Sequence, residues 1–342
     1  MKKIRVAQIG TSQNSHGNSI WCSFKKQSDI FEIVGYAMPE NEREKFPTRM
    51  KDFEGYPEMT VEEIMNDPTI DAVAVETEEI YLTKYAQMVA DAKKHMHMEK
   101  PGGTDLAAFE KLIATVKSNG TVFHTGYMYR YNSYVMQLKE DIKAGKLGEI
   151  ISVEAQMNCL HPDSVRDWLK CFPGGMMFFL GCHLVDLIYS IQGAPKRVIP
   201  MSKCTGIDGV AGEDFGMAAF EYEKGWSFAK TNANEHGGFG RRQLVVNGTK
   251  GTVELKPLEW YVEGKSDLYT GRRFCDSTVW TDIGEKEYNA PADRYDAMMA
   301  SFAAMVRGEK ENPWTYDYEW QLYRILLRCC GVEIDYKTPE IL

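Results

Sequence analysis

Short apolar runs alternate with longer amphipathic stretches over residues 1–125. Compact runs rich in valine, isoleucine and alanine are typical of strands, and apolar residues three or four positions apart are typical of helices. The runs predict strands at residues 4–9, 31–37, 71–75, 95–98 and 121–125. The amphipathic stretches predict helices at residues 20–26, 61–66, 81–94 and 106–118, the second of them capped by Thr60. This alternation predicts βαβ units, and therefore a parallel sheet of the nucleotide-binding type.

The pattern changes after residue 126, where alternation with a period of two becomes common. It predicts strands at residues 150–157, 215–222, 226–232, 242–247 and 251–255, and Asn247-Gly248 is a hairpin turn signal between the last two. Helices are predicted at residues 133–144, 177–191, 295–306 and 319–330, the first ending at Gly145. We therefore expect an α/β nucleotide-binding domain at residues 1–125 and an α+β domain at residues 126–342, with C-terminal helices that can pack back on the first domain.

The composition excludes several classes of partner. A length of 342 residues suits two domains. The chain has 49 acidic and 40 basic side chains, a net charge of -9, which argues against a nucleic-acid partner. No apolar run approaches the ~20 residues of a membrane span, and the first ten residues are too polar for a secretory signal. Eight cysteines show neither metal-finger nor disulfide-framework spacing, so we expect a reducing cytoplasm.

The first predicted strand ends at Gly10, where a dinucleotide-binding fold turns toward the cofactor pyrophosphate. The usual motif has two more glycines in this turn, and here Ser12 and Ser15 occupy their positions. Their hydroxyls, together with Thr11, can donate hydrogen bonds to a phosphate at a helix N-terminus. We predict that these four residues contact the cofactor, and a generic strand–helix turn is the alternative.

The acid that commonly binds the ribose hydroxyls of NAD is displaced in this sequence. Met38 stands where that acid is expected after the second predicted strand, and Glu40 follows two residues later. Because a carboxylate repels a 2′-phosphate, Glu40 favours NAD over NADP, although NADP is not excluded. The alternative is that Glu40 is a solvated loop acid.

Three further segments occur together in a specific order. They are Glu99-Lys100-Pro101 after a predicted strand, the run GYMYRYN at residues 126–132 with AGKLGEI at 144–150, and Gly174-Gly175 followed by LGCHLVD at 180–186. This order resembles the Gfo/Idh/MocA superfamily of glucose–fructose oxidoreductase, inositol dehydrogenase and rhizopine-catabolism proteins over nearly the whole chain. The resemblance implies an α/β Rossmann domain plus an α+β domain with a predominantly antiparallel open sheet. It also implies a bound NAD or NADP, a sugar or polyol substrate, and a homodimer or homotetramer.

The resemblance further implies catalytic roles for Lys100 and His183. A lysine at the mouth of the sheet can stabilise the developing alkoxide, and an imidazole that titrates near neutral pH can take the hydroxyl proton. The cofactor contacts that it implies in this region are Thr77, Glu99, Lys100 and Pro101, and in the family this proline often follows a cis peptide bond. The alternatives are a loop charge for Lys100 and a core side chain for His183.

The sequence departs from the family at one catalytic position. Typical dehydrogenases of the group have an aspartate four residues before the histidine, where this chain has Phe179. Asp186, three residues after His183, either compensates or is an ordinary helix acid. The family's T-P-x-x-x-H turn also lacks its proline and histidine at residues 77–82. These changes put plain alcohol dehydrogenation in doubt.

Several polar and aromatic residues are candidates for substrate binding. The predicted loop before Gly174 contains His161, Arg166 and Trp168, and an indole can stack on a sugar while its neighbours bind hydroxyls. Tyr129 and Arg130 at the domain junction complete the predicted substrate contacts. Ordinary loop structure is the alternative for His161, Arg166 and Trp168, and a tight connector is the alternative for the glycine-rich residues 234–241.

No metal site is predicted, because His95 and His97 share a strand face but lack a third ligand. We predict an NAD(P)-dependent oxidoreductase that removes a hydride from a secondary alcohol of a sugar, sugar derivative or cyclic polyol. One alternative is an NAD-dependent glycoside-cleaving enzyme or lyase that works through a transient 3-keto sugar. A more distant alternative is a non-catalytic sugar or nucleotide sensor.

Overall fold

A computed structural model describes residues 2–337. Position 1 and positions 338–342, the outer ends of the two predicted domains, lie outside the described residues. The described chain divides into two compact units. The first contains the described residues up to Met128 together with Tyr295–Gln321, and the second contains Tyr129–Arg294 and Leu322–Lys337.

The first unit is built on a five-stranded sheet in which all neighbouring strands are parallel. Its strands are β1 (Ile4–Ile9), β2 (Phe31–Ala37), β3 (Ala72–Val75), β4 (His95–Met98) and β5 (Phe123–Thr125), in the order β2-β1-β3-β4-β5. Every residue of β3 is buried, as expected of a strand covered on both faces. The expected parallel sheet is confirmed.

Five helices accompany these strands in the first part of the chain: α1 (Gly17–Lys26), α2 (Glu42–Lys45), α3 (Val61–Asn66), α4 (Leu82–Asp91) and α5 (Leu106–Asn119). Thr60 begins α3 with a capping box, since its hydroxyl accepts from the Glu63 amide and the Glu63 carboxylate accepts from the Thr60 amide. Asp105 caps α5 with a single bond, since its carboxylate accepts from the Ala108 amide. The predicted Thr60 cap is therefore confirmed.

The second unit contains an eight-stranded sheet with the order β15-β14-β11-β10-β6-β9-β8-β7. Four helices precede or interrupt its strands: α6 (Ser133–Lys143), α7 (Asp163–Trp168), α8 (Met176–Phe179) and α9 (Gly181–Gln192). The strands are β6 (Ile150–Asn158), β7 (Arg197–Pro200), β8 (Phe215–Glu221), β9 (Trp226–Asn232), β10 (Gln243–Gly248), β11 (Thr252–Leu255), β14 (Gly271–Cys275) and β15 (Lys286–Tyr288). A separate hairpin pairs β12 (Trp260–Tyr261) with β13 (Leu268–Tyr269).

The eight-stranded sheet is predominantly antiparallel, and β6 and β9 are its parallel pair. Residues of β8, β9 and β10 alternate between buried and partly exposed positions, because α9 covers one face over β6 and β9. Asn247 pairs with Thr252 across the β10–β11 hairpin, which confirms the predicted turn.

Two predicted elements differ from the structure. The single helix expected at residues 177–191 is broken into α8 and α9 at Leu180, whose φ of -109 departs from that of a regular helix. A side chain at Gly181 would meet Met177 Sδ at 2.5 Å, so the glycine permits this break. The expected loop around residues 161–168 contains α7, which begins after Pro162 with Asp163 in its first turn.

Two helices close the described chain. α10 (Asp296–Val306) belongs to the first unit, where Ser23 of α1 donates a hydrogen bond to Asp296 at 2.7 Å. α11 (Tyr316–Cys329) begins three residues earlier than predicted, since the Thr315 hydroxyl accepts from the Tyr318 amide at its start. Within residues 2–337, no helix is both long and apolar enough to cross a membrane.

Candidate active site

The turn between β1 and α1 passes very close to the end of β3. Gly10 has φ +84, and a Cβ at this position would lie 2.6 Å from Thr77 Cγ2. Only glycine accepts both the positive φ and this close approach without strain. Glycine is therefore required at position 10, because the β1–α1 turn passes against Thr77 there.

One of the two serines that replace glycines in this turn, Ser15, binds the turn's own backbone through its hydroxyl. The Ser15 hydroxyl donates to the Ser12 carbonyl at 3.1 Å and accepts from the Gly17 amide at 3.2 Å, which caps the start of α1. Arg49, which the sequence analysis did not single out, donates to the carbonyls of Gln13 at 3.0 Å and Ser15 at 3.2 Å. Side chains thus supply the rigidity of a turn that usually depends on glycine.

Glu42 contacts this turn at Thr11. Its carboxylate is buried and accepts from the Thr11 amide at 2.7 Å. Burial raises the pKa of Glu42 to about 7, although the Thr11 amide partly offsets that effect. Glu40, the acid expected from the sequence, instead accepts from Lys84 and from the Tyr85 hydroxyl. The sequence analysis missed Glu42 because it lies in α2, beyond the position at which such an acid normally follows the second strand.

Lys100 lies just after β4 and is 2% exposed. The Lys100–Pro101 peptide bond is cis, as the family resemblance implied. The Lys100 amide donates to Glu99 Oε1 at 3.0 Å, and the Lys100 Nζ lies 3.8 Å from the same oxygen. The other oxygen of Glu99 accepts from the His16 amide at 3.0 Å and lies 2.8 Å from His16 Nδ1. Burial opposes ionisation of Glu99, but the charges and hydrogen bonds of His16 and Lys100 hold its pKa below the usual range.

Two more buried carboxyl groups follow β3. Burial raises the pKa of Glu76, and the neighbouring Glu99 charge raises it further. Burial also raises the pKa of Glu79 to about 7, while Lys100 partly offsets the effect. Sequence reasoning missed both residues, because only the tertiary fold shows that these two side chains are buried. In the first unit, Lys100 therefore lies near carboxyl groups whose pKa values are shifted in opposite directions: that of Glu99 is lowered, and those of Glu76 and Glu79 are raised.

His183 lies in α9 and is 1% exposed. The Tyr129 ring meets it edge-on, with 5.3 Å between ring centroids. The Tyr129 hydroxyl accepts from Arg242 at 3.4 Å, and Arg242 forms a buried ion pair with Glu259, whose other oxygen lies 2.7 Å from Arg294. Burial and the nearby Glu259 charge raise the pKa of Tyr129, so its hydroxyl keeps its proton. The second unit thus fixes His183 against a neutral phenol.

Two of the predicted substrate residues are engaged in buried ion pairs. Arg130 donates to both oxygens of Asp186, with distances of 2.8–3.1 Å. Arg166 pairs with Asp208 and lies 3.4 Å from the buried Asp214. Asp186 is therefore the partner of Arg130, and these arginines hold loops and helices of the second unit together.

Phe179 makes the contacts that an aspartate in its place would not make. Its ring meets Trp168 edge-on at 5.2 Å between centroids and lies 6.3 Å from His161. Trp168 and His161 are both half-buried, and burial lowers the pKa of His161. The residue that departs from the family pattern thus packs against two predicted substrate residues.

Among residues 2–337, no group of three histidine, cysteine, aspartate or glutamate side chains is arranged to hold a metal ion. His97 packs against His124, with 2.7 Å between their Nδ1 atoms, and burial lowers the pKa of His97 to about 4.

Two family profiles match most of the described chain. Residues 4–127 match the oxidoreductase family with an NAD-binding Rossmann fold, and residues 135–254 match the GFO/IDH/MocA C-terminal domain. The chain belongs to the Gfo/Idh/MocA oxidoreductase family. It is therefore an oxidoreductase whose first unit is an NAD-binding Rossmann domain, as the sequence motifs implied.

Relatives of this family member differ in how much of the chain they match. The uncharacterized oxidoreductase YhhX of Escherichia coli is 34% identical over 142 residues, which is 40% of each chain. The 1,5-anhydro-D-fructose reductase of Ensifer adhaerens is 23% identical over 77% of this chain and 78% of its own. A levoglucosan dehydrogenase, solved with NADH and levoglucosan, covers 96% of this chain and 98% of its own, with a TM-score of 0.73 and 18% identity. This last likeness shows the shared fold.

Proposed function

We propose that this family member uses NAD to remove a hydride from, or return it to, a secondary alcohol of a sugar, sugar derivative or cyclic polyol. The observation that carries the proposal is the buried Lys100, held beside Glu99 at the carboxyl end of β4 in an NAD-binding fold. A cation in a dry polar environment is suited to stabilise a developing alkoxide. The names of the reductase and dehydrogenase relatives support the substrate class.

The residues of the β1–α1 turn fit NAD. Gly10 lets the turn pass directly against Thr77 at the strand ends, and α1 begins at Gly17 after the turn. We propose that the cofactor contacts are those of the turn and of the strand ends beside it: Gly10, Thr11, Ser12, Ser15, Glu40, Thr77, Glu99, Lys100 and Pro101. Glu42 joins them, because its buried carboxylate at the Thr11 amide disfavours a 2′-phosphate. NAD, when bound, accepts or supplies the hydride.

The chain's own residues supply the proton chemistry and the substrate contacts. The Lys100 ammonium stabilises the alkoxide, and the His183 imidazole takes or returns the hydroxyl proton. Tyr129 orients the His183 ring, and His161 and Trp168 contact the sugar. Arg130 and Arg166 act through the elements that they hold, since both guanidinium groups are already bound by carboxylates.

A specific observation favours a second candidate reaction. Phe179 replaces the usual acid and packs on Trp168 and His161. A site reshaped in this way suits a transient 3-keto sugar, in which the ketone acidifies the neighbouring C–H and one base and one acid then complete cleavage. In that reaction NAD is reduced and reoxidised within one turnover.

The test of the main proposal is turnover with a panel of sugars and cyclic polyols. For Lys100→Met we expect the hydride step to slow ~10²–10³-fold, the loss typical of one preorganised donor. For His183→Ala we expect a loss of ~10²–10⁴-fold. The control is Lys111→Met, which removes an exposed lysine of α5. Wild-type rates in both site variants would contradict the proposal.

We further propose a homo-oligomer that uses the partly exposed face of the second unit's sheet. Phe215, Met217 and Phe228 lie at half-exposed positions of β8 and β9, on the face opposite the buried one. Light scattering at micromolar concentration should give a mass of at least two chains, and a monomer would contradict this expectation.

A further inference from the structure

The Glu99 carboxylate is held between two partners from different segments of the chain, Lys100 and His16. Lys100 occupies one oxygen through its amide at 3.0 Å and its ammonium at 3.8 Å. His16 occupies the other oxygen through its amide at 3.0 Å and its ring Nδ1 at 2.8 Å. Glu99 is buried, whereas the His16 side chain is 20% exposed. Of these two residues, His16 is therefore the one whose side chain reaches solvent.

A second buried carboxyl group, that of Glu76, lies close enough to Glu99 for their ionisations to affect each other. Glu76 follows β3, is fully buried and interacts with Glu99. Two neighbouring carboxyl groups in a buried environment do not both ionise readily, and the one with cationic partners keeps the charge. The other titratable or charged groups near this cluster include the buried Glu79, Arg49, His97 and Tyr295. His97 lies 3.4 Å from Glu76, and the Tyr295 ring lies 5.3 Å from that of His16.

We propose that His16 is a positioning residue for Lys100: it keeps Glu99 ionised and turned toward the Lys100 ammonium, while Glu76 carries the proton. The proposal rests on the proposed function, in which Lys100 stabilises the alkoxide. His16 lies in the β1–α1 turn, so the turn assigned to the cofactor also sets the charge beside Lys100.

The consequence is a specific dependence on pH. Burial alone raises the pKa of a carboxyl group, and the charge and hydrogen bonds of His16 oppose this effect on the pKa of Glu99. Without His16, Glu99 takes up a proton at higher pH and the Lys100 ammonium loses its counter-charge. Activity should then be lost on the acid side while it is retained at alkaline pH.

The experiment compares His16→Leu, which removes the ring donor, with His16→Asn, which keeps a side-chain N–H donor. Relative to the wild-type protein, we expect kcat/KM of His16→Leu to be lower at about pH 5.5 than at about pH 8 by ~10-fold, which is the effect if the pKa of Glu99 in the variant lies about one unit above the lower assay pH. His16→Asn should recover part of this loss. His95→Gln is the control, because His95 lies at the opposite end of β4 from Glu99.

A double variant tests the same idea through Glu99 itself. In a Glu99→Gln background, replacing His16 should leave the shape of the pH profile unchanged, because no carboxylate remains for His16 to hold. An equal profile in His16→Leu and wild-type protein would overturn the proposal. A loss that is uniform across pH would also overturn it, since it indicates a merely structural or cofactor-binding role. If His16→Leu does not fold, His16→Asn and the double variant decide.

A readout without turnover separates this proposal from the proposed function. Carbon NMR of protein labelled at glutamate carboxyl groups follows the titration of Glu99 directly. We expect its titration midpoint to move upward in His16→Leu and to move less in His16→Asn. An unchanged midpoint would overturn the role of His16, whether or not any sugar reduces NAD. Absence of NAD reduction together with an upward movement would contradict the proposed function alone.

Discussion

Replacing Glu79 with glutamine should make the protein more stable at neutral and alkaline pH. Glu79 is buried, and neither carboxylate oxygen has a hydrogen-bond partner among the described residues. Burial raises its pKa from 4.5 to about 7, so the folded state binds this proton more tightly than the unfolded state does. The stability that this proton supplies is present below about pH 4.5 and is lost as the pH rises through about 7.

The magnitude follows from the same two values. A difference of about 2.5 pKa units corresponds to roughly 3 kcal/mol at pH 8, at about 1.4 kcal/mol per unit. The glutamine side chain does not titrate, so Glu79→Gln avoids the loss. The free energy of unfolding of the variant, relative to wild type, should therefore rise by roughly 3 kcal/mol between about pH 4.5 and pH 8.

The assay is urea unfolding followed by circular dichroism across this pH range. Glu62→Gln is the matched control, because it changes an exposed glutamate of α3, and we expect its effect to stay within about 0.5 kcal/mol. The raised pKa of Glu42 also makes the free energy of unfolding fall as the pH rises. This contribution is the same in variant and wild type, so it cancels in the difference between their free energies of unfolding. A difference that does not change with pH would refute the reasoning.

Two further predictions concern the cofactor and the departure at Phe179. For Glu42→Ser we expect the ratio of NADP to NAD affinity to rise by ~10-fold or more, because the carboxylate at the Thr11 amide is removed; calorimetric titration measures this, and an unchanged ratio would contradict the assignment. For Phe179→Asp we expect a preserved or higher rate of simple dehydrogenation if the chain is a plain dehydrogenase. If the enzyme works through a keto intermediate, a buried carboxylate against Trp168 should abolish the native reaction, and product analysis distinguishes the two results.

The parts of the fold that the sequence predicted depend on local patterns. The strand at Ala72–Val75 is a compact apolar run, and such a run has few stable places other than the centre of a parallel sheet. The Thr60 cap and the Asn247-Gly248 hairpin are decided by side chains within a few positions of each other. The break at Leu180 was missed, because helical periodicity continues through it and only the packing of Gly181 against Met177 shows it.

Site residues that belong to a family motif could be predicted from the sequence. Site residues that are brought together only by tertiary contacts could not. Lys100 follows a strand end, so its location was evident from the sequence. Glu42 reaches the Thr11 amide from a helix 31 positions away, and His16 meets Glu99 across 83 positions. No local pattern encodes such pairs. The contacts of Phe179 with an aromatic cluster likewise became visible only in the folded second unit.

The most direct test of the account is to follow a deuterium label from the alcohol carbon of a sugar or cyclic polyol that the enzyme accepts. Magnetic resonance should find the label on the nicotinamide ring of NADH, with one labelled NADH formed for each ketone, and Lys100→Met should suppress this transfer. Cleaved sugar with no accumulated NADH would contradict net oxidation and favour the keto-intermediate cycle. No transfer of the label to nicotinamide from any sugar or polyol, with NAD bound, would contradict the central claim.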